Sequence, residues 1–250
     1  LRIMQSKAYR RASFKTQVYT SPRNPHVRTR AVHTNEVIAL SMVIADALGL
    51  DTNLVQAIAA GHDIGHVPFG HLGEKILKEL SGKPFHHAVF SVVVAQHIER
   101  KGRGLNLTKG VLLGILNHAR GKHGLVSKKD LPQECDLVMF ADKIAYTFSG
   151  LNDVLRYGEF KENDLPGFVK ELGVDQRARI YNVVNALVKE SKAKGTISFS
   201  KGEIFEKFEA LRQWMYTNIY EKVNRPLQVE SIKAVHSFFQ DMSELKGFDP

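Results

Sequence analysis

A histidine- and glycine-rich segment, GHDIGHVPFGHLGE at residues 61–74, contains the side chains best suited to chemistry. Its three histidines and two carboxylates are separated by four glycines. Imidazole nitrogens and carboxylate oxygens bind divalent metals, and the same groups act as general acids and bases. The segment therefore predicts a metal site, an acid–base site, or both.

His62 and Asp63 are adjacent at the end of a predicted helix, NLVQAIAAGHD. Neighbouring side chains on a helix point about 100° apart, so both reach one point only if it lies beside the helix end. A metal ion is such a point, and it needs further ligands from elsewhere. Candidates are His33, at the start of one predicted helix, and Asp142, inside another. These helices can converge in an all-α core, although spacing alone does not establish it.

The elements that must position these residues are helices, because the apolar periodicity is helical almost throughout. No segment shows sustained β alternation; TISFS at residues 196–200 is either a short strand or a linker. We predict one all-α fold, with a metal-dependent core over residues 1–160 and a helical extension over residues 161–250 packed on it. The predicted helices cover residues 34–48, 53–63, 71–80, 87–100, 108–119, 134–157, 175–193, 201–223 and 227–244. Either Asp51 or Thr52 can cap the second of them.

Several motifs carry a family resemblance. The order His33, His62–Asp63, Asp142 resembles the H…HD…D pattern of the HD-domain metal-dependent phosphohydrolases. The longer string HDIGHVPFGHLGE resembles the deoxynucleoside triphosphate triphosphohydrolase branch, typified by the deoxyguanosine triphosphate triphosphohydrolases. Three further stretches, SKAYRRASFKTQVY, HVRTRAVHTNEV and ADKIAYTF, resemble the same branch. The matches span residues 6–153.

The resemblance implies an HD-domain helical bundle around a metal site, and hydrolysis of a dGTP-like dNTP to deoxynucleoside and tripolyphosphate. It implies that His71 and Glu74 form the catalytic acid–base pair, and their three-residue spacing places them on one helix face. It places His66 close to the attacked phosphate and His87 against the phosphates. It also assigns the metal to His33, His62, Asp63 and Asp142, triphosphate contacts to Arg30 and Lys143, and sugar contacts to Gln17 and Tyr146.

One position departs from the family pattern. Eight residues beyond Asp142, where the family usually has an aspartate that contacts the sugar 3′-hydroxyl, this chain has Gly150. Asn152 or Asp153 is a candidate replacement, but a shift of two or three residues turns a side chain well round a helix. The preference between deoxyribose and ribose therefore stays open.

The residues leave several alternatives open. The mixed imidazole–carboxylate set suits Mn²⁺ or Mg²⁺ and also allows Fe, Ni, Co or Zn. His87 and His118 can bind a second ion, as in two-metal HD phosphodiesterases, which favours a phosphodiester or monophosphate substrate. His86 is interpreted as a surface or capping residue. A non-catalytic nucleotide- or nucleic-acid-binding module is a further alternative, although a binder needs no acid–base pair.

Composition limits the partners and the compartment. The formal charge of +9 favours an anionic partner such as a nucleoside triphosphate. No basic patch has the interleaved aromatic residues of a nucleic-acid surface. The family resemblance implies nucleic acid as a regulator only, and it also implies a homo-oligomer. No apolar run approaches the roughly 18 residues of a membrane span, and the single cysteine, Cys135, indicates a reducing cytoplasm. The aromatic run Phe205–Tyr220 is interpreted as core packing, with Arg212 only a minor candidate for the cleft.

Overall fold

The computed structural model describes residues 1–19, 24–120, 130–158, 160–222 and 225–244. Within these ranges the chain is helical, and its one β feature is an isolated bridge between Thr16 and Thr29. The predicted all-α class is therefore confirmed. The helices are α1 Lys7–Arg11, α2 Arg30–Leu48, α3 Thr52–Gly61, α4 Gly70–Ser81, α5 His87–Val93, α6 Lys109–Asn117, α7 Gln133–Tyr157, α8 Gly167–Leu172, α9 Gln176–Lys194, α10 Glu203–Met215 and α11 Arg225–Glu244.

The predicted helix bounds agree closely with these elements, while two short helices, α1 and α8, have no predicted counterpart. Both span only one to two turns, too short for a periodic apolar pattern to emerge. The α5 and α10 helices each continue into a π-helical turn, at Val94–Ile98 and Tyr216–Tyr220. The TISFS segment contains no strand; its first residue ends the turn after α9 and the rest is an irregular linker.

Side-chain caps fix where the functional helices begin. The Thr29 hydroxyl accepts a hydrogen bond from the Val32 amide and starts α2. The Asp51 carboxylate, one of the two predicted caps, accepts hydrogen bonds from the Asn53 and Leu54 amides and starts α3. His86 caps α5, because its Nδ1 accepts from the Ala88 amide. Each cap satisfies a backbone donor that has no intrahelical partner. The capping role predicted for His86 is thereby confirmed.

The core of the molecule forms where α2, α3 and α7 pack together. One apolar cluster runs from these helices into α9 and α10, so it contains side chains from both sides of residue 160, including Val37, Ile58, Leu187 and Phe208. The division at residue 160 stays a prediction. Cys135 is buried in α7, and burial raises the pKa of its thiol to about 11, as suits a packing residue.

The α2 helix is long and apolar enough to cross a membrane by length and composition alone. Among the described residues it is the one helix that passes this test, which the core helices of water-soluble proteins also pass. Its buried face carries Val37 and Ile44 and packs against α3 and α7. We therefore interpret α2 as a core helix of the bundle.

Candidate metal centre and catalytic cavity

The four predicted metal ligands converge at one end of the core. His33 lies in the first turn of α2, His62 and Asp63 directly follow α3, and Asp142 lies within α7. His33 Nε2 is 3.0 Å from Asp142 Oδ1, although the two residues are 109 positions apart. His62 Nε2 is 3.7 Å from the same oxygen and 3.6 Å from Asp63 Oδ1. Three separate elements thus bring two imidazoles and two carboxylates to one point.

The protonation of His62 fits a metal ligand. Its Nδ1 is 2.7 Å from the Ala59 carbonyl oxygen, which can only accept, so Nδ1 carries the proton and donates it. The bare Nε2 is fully buried and has no hydrogen-bond partner. A buried acceptor without a partner costs free energy, and metal-bound histidines commonly donate their other ring N–H to a carbonyl. The residues therefore fit a divalent cation.

A second pair of imidazoles lies beside this point. His87 Nδ1 donates to the Glu74 carboxylate at 2.7 Å, and His118 Nδ1 donates to the Ile115 carbonyl at 2.7 Å. The two Nε2 atoms therefore both present lone pairs, and they face each other at 3.2 Å. Asp63 Oδ1 lies 4.0 Å and 3.8 Å from them. That nitrogen separation suits two ligands of one cation, because metal–nitrogen bonds are about 2.0–2.1 Å long.

The predicted catalytic residues also lie together. Nitrogen or oxygen atoms of His66, His71, Glu74 and His87 are all within 4.8 Å of one another. The His66 ring stacks on His87 at 3.9 Å, and His71 meets both rings edge-on. The short hydrogen bond of Glu74 goes to His87 rather than to His71. The carboxylate predicted to orient His71 therefore orients a different imidazole, that of His87.

The loop that carries His62 and His66 is fixed by its contact with α5. The Ser91 hydroxyl donates to the His62 carbonyl and accepts from the Gly65 amide, both at 2.9 Å. A Cβ on Gly65 would lie 2.2 Å from the Ser91 backbone nitrogen, so only glycine permits this approach. Gly65 thus helps to hold His66 at the cavity wall and the fully buried His62 beside the other predicted metal ligands.

Charges around the cavity hold the carboxylates ionised. Arg30 Nη1 donates to Asp63 Oδ2 at 2.8 Å. Burial opposes ionisation of Asp63, but the groups around it, the Arg30 guanidinium among them, hold its pKa well below the usual range. Burial, reinforced by Arg30, lowers the pKa of His66. Burial, with His62 and His87 nearby, lowers that of His118 to about 3. Neutral imidazoles beside ionised carboxylates form a donor set that suits a cation.

A cavity of about 460 Å³ opens over these residues, within the range usual for small-molecule sites. The structure places all four predicted substrate contacts in its wall: Gln17, Arg30, Lys143 and Tyr146. It also places there residues that the sequence analysis missed or ranked low: Lys75, Arg120, Arg212, Tyr216, Tyr220 and Gln228. Arg212 and Tyr216 are four residues apart and therefore lie on one face of the helix. This spacing indicates a polar face, which the interpretation of the whole run as core packing does not take into account.

The structure overturns both suggested replacements for Gly150, Asp153 and Asn152. Asp153 is almost fully buried, and its Oδ1 accepts from Arg28 Nη1 at 2.6 Å. Asn152 accepts from the same guanidinium at 3.2 Å. Neither residue belongs to the cavity wall. Both side chains have turned towards Arg28, as their two- and three-residue offset from Gly150 on the helix requires.

Comparison with known proteins defines the class first. Residues 30–147 match the model of the HD domain. The matched range begins at Arg30 and ends one residue after Tyr146, so it encloses all four converging ligands. Proteins of this class are all-α, in agreement with the fold, and the converging imidazoles and carboxylates are the groups expected of its metal centre.

Curated relatives then define the branch. The chain is 42% identical over 220 residues to a deoxyguanosinetriphosphate triphosphohydrolase-like protein of Caldanaerobacter subterraneus, covering 88% of this chain and 63% of the relative. It is 43% identical over 239 residues to one of Clostridium perfringens, covering 93% of this chain and 68% of the relative. The chain belongs to this family of deoxyguanosinetriphosphate triphosphohydrolase-like HD phosphohydrolases. It spans about two thirds of the length of these curated relatives.

Proposed function

We propose that this protein is a metal-dependent hydrolase that converts deoxynucleoside triphosphates, dGTP-like substrates foremost, into deoxynucleoside and tripolyphosphate. One observation carries the proposal: four buried or half-buried ligand side chains converge at a cavity lined with cations. The names of the relatives, deoxyguanosinetriphosphate triphosphohydrolase-like proteins, support the same reaction class. A homo-oligomer, regulation by nucleic acid and a cytoplasmic location belong to this proposal as well.

His33, His62, Asp63 and Asp142 would hold the divalent cation, most simply Mn²⁺ or Mg²⁺, with Fe, Ni, Co or Zn as alternatives. When bound, the cation supplies Lewis acidity to a phosphate oxygen and lowers the pKa of a water nucleophile. Arg30 would position one of these ligands, because its guanidinium donates a hydrogen bond to the Asp63 carboxylate.

The chain's own cations would bind the triphosphate. Arg30, Lys143 and Lys75 line the cavity together with Arg120 and Arg212. Arg120 pairs with the buried Asp136 and Arg212 with Glu209, so both guanidiniums are held in fixed positions. Fixed positive groups stabilise charge that develops on phosphate oxygens without reorganising during the reaction. This arrangement favours a polyphosphate over an uncharged substrate.

The imidazoles would act as general acid and base, transferring a proton to or from a substrate oxygen. His71 is exposed to the cavity and can reach a substrate oxygen, while Glu74 lies behind it at hydrogen-bond distance from His87. A carboxylate there stabilises whichever imidazole gains the proton. His87 and His66, stacked on each other, would face the phosphates and position the attacked one.

The reaction is tested by incubating metal-stripped protein with Mn²⁺ or Mg²⁺ and each common dNTP and NTP. All products are resolved by ion-exchange chromatography. We expect deoxynucleoside and tripolyphosphate, dependent on added metal. Release of orthophosphate or pyrophosphate would retain the metal site but reject the proposed cleavage. A complete lack of turnover with every nucleotide and metal would reject the proposal for this chain.

The His87–His118 pair favours a second candidate, an HD phosphohydrolase that acts on a phosphodiester or a nucleoside monophosphate through two ions. Asp63 lies between the two ligand groups, so it can serve both. His87 and His118 would hold the second ion, which would supply additional Lewis acidity to the phosphoryl group of such a substrate.

His118→Ala is expected to lower the bound Mn²⁺ from about two ions per chain to about one, because it removes one of the two facing Nε2 ligands. Metal content is measured by mass spectrometry after removal of unbound ions. The matched control is His97→Ala, an exposed histidine outside the cavity wall. A wild-type content of one ion per chain would reject the second site and with it the observation that favours the second candidate.

A further inference from the structure

The segment at residues 15–17 runs alongside the start of α2 and is tied to it by backbone hydrogen bonds. The Arg30 amide donates to the Lys15 carbonyl at 2.8 Å, and the Gln17 amide donates to the Arg28 carbonyl at 3.2 Å. Paired backbone groups of this kind fix one chain segment against another. Lys15 is therefore held at a defined place beside the first turn of α2, where the cavity wall begins with Arg30.

The Lys15 side chain leaves this segment and reaches the loop after α3. Its Nζ donates a hydrogen bond to the backbone carbonyl of His66, which is 51 positions further along the chain. The Lys15 side chain is half-buried, and among the residues that the structure describes it does not belong to the cavity wall, whereas His66 does. Lys15 therefore acts on the cavity from behind its wall, through His66.

The position of the His66 ring depends on how its backbone is held. Its buried Nδ1 has no hydrogen-bond partner in the described part of the chain, and the ring stacks on His87 at 3.9 Å. Stacked rings can slide over each other, so stacking fixes a ring less tightly than a directed hydrogen bond. The backbone is held on both sides: the His66 amide donates to the Asp63 carbonyl at 3.1 Å, and the His66 carbonyl accepts from Lys15.

The surroundings of Lys15 are unfavourable for a cation. Burial, with Arg30 and Arg11 nearby, lowers the pKa of its ammonium to about 8. The group is still mostly charged at neutral pH, and a charge-assisted hydrogen bond is roughly twice as strong as a neutral one. The contact with the His66 carbonyl offsets part of the cost of burying this charge. Removal of the ammonium would leave a carbonyl of the buried His66 without this donor.

We propose that Lys15 is a positioning residue for the hydrolysis: its hydrogen bond to the His66 carbonyl sets the distance between the His66 imidazole and the Arg30 guanidinium across the cavity. Lys15 spans the two groups, because its carbonyl binds the Arg30 amide and its ammonium binds the His66 carbonyl. The inference rests on the proposed function, in which His66 positions the attacked phosphate and Arg30 binds the triphosphate.

Hydrogen–deuterium exchange of the protein without nucleotide tests the placement independently of turnover. Lys15→Met keeps the aliphatic chain and removes the ammonium. In this variant we expect the amides of residues 62–66 to exchange at least about fivefold faster than in wild type, the value of one lost hydrogen bond. Lys7→Met, an exposed lysine of the same N-terminal region, is the matched control and should exchange as wild type.

Steady-state kinetics with dGTP at saturating Mn²⁺ test the consequence for the reaction. Lys15→Ala should lower kcat roughly 10- to 100-fold and leave KM within about threefold, because a small displacement of a group at the reacting centre costs about that much. The n-propylammonium ion replaces the atoms that this variant lacks, so added n-propylammonium should restore part of kcat. Tetramethylammonium, a cation without an N–H donor, should restore none.

Unchanged exchange at residues 62–66 in Lys15→Met would overturn the inference. A raised KM with unchanged kcat in Lys15→Ala would also overturn it, because Lys15 would then bind phosphate rather than position His66. Equal restoration by both ammonium ions would show a general effect of charge and reject the hydrogen bond. If exchange responds as expected but wild type releases no tripolyphosphate, the proposed reaction fails while the placement of His66 by Lys15 stands.

Discussion

Replacing Asp63 with asparagine is expected to lower the rate of hydrolysis at least about a thousandfold, because a bound cation supplies several kcal/mol of transition-state stabilisation. Asp63 is the central ligand: one oxygen faces His62 at 3.6 Å and His118 at 3.8 Å, and the other binds Arg30. The neutral amide removes the charge that balances these groups. Turnover is measured with dGTP at saturating Mn²⁺.

The metal itself gives a second measurement for Asp63→Asn. A cation that binds only the folded state raises the melting temperature, so added Mn²⁺ should stabilise wild type and leave the variant nearly unchanged. Asp46→Asn, an exposed aspartate on α2, is the matched control and should behave as wild type. A variant that still gains stability from Mn²⁺ and turns over dGTP would show that Asp63 is not a ligand.

The local parts of this site could be predicted from the sequence. Caps and apolar periodicity located α2, α3 and α4 to within a few residues, and the HDIGHVPFGHLGE string marked the metal and acid–base groups. Such signals act over one or two helical turns, so they need no knowledge of the tertiary packing.

The long-range pairing of α2 with α7 could not be predicted from residue spacing. His33 Nε2 and Asp142 Oδ1 lie 3.0 Å apart, although 109 positions separate the two residues in the sequence. Only the family resemblance indicates this pair in advance. The same limit applies to His118, whose facing partner His87 lies 31 residues earlier. Periodicity identifies which face of a helix is buried, but not which helix covers it.

The aromatic run of α10 shows how one pattern serves two roles. Core packing is confirmed for Phe208, Leu211 and Met215, which are fully buried. Tyr216 and Tyr220 continue the same amphipathic stripe, yet they reach the cavity wall, where the helix has become a π-helical turn. A change in helical pitch moves side chains round the axis, and hydrophobic periodicity does not report it.

His71→Ala is expected to lower kcat by at least about 100-fold while leaving the metal content unchanged, because proton transfer by a placed imidazole contributes about that much. His71 lies at the exposed edge of the histidine cluster, and its ring is 5.3 Å from His66 and 5.4 Å from His87. Turnover and bound Mn²⁺ are measured on the same preparation. His97→Ala is the control for loss of an exposed histidine. Retention of activity in His71→Ala would remove it from the catalytic pair.

The partner of His71 is settled by a double variant, because Glu74 forms its short hydrogen bond with His87. If His71 and Glu74 act as one unit, His71→Ala with Glu74→Gln should be no slower than the slower single variant, as residues that work together are strongly non-additive. If Glu74 instead serves His87, the losses of His71→Ala and Glu74→Gln should multiply, while those of His87→Ala and Glu74→Gln should not. The kcat values of the five variants decide between the two imidazoles.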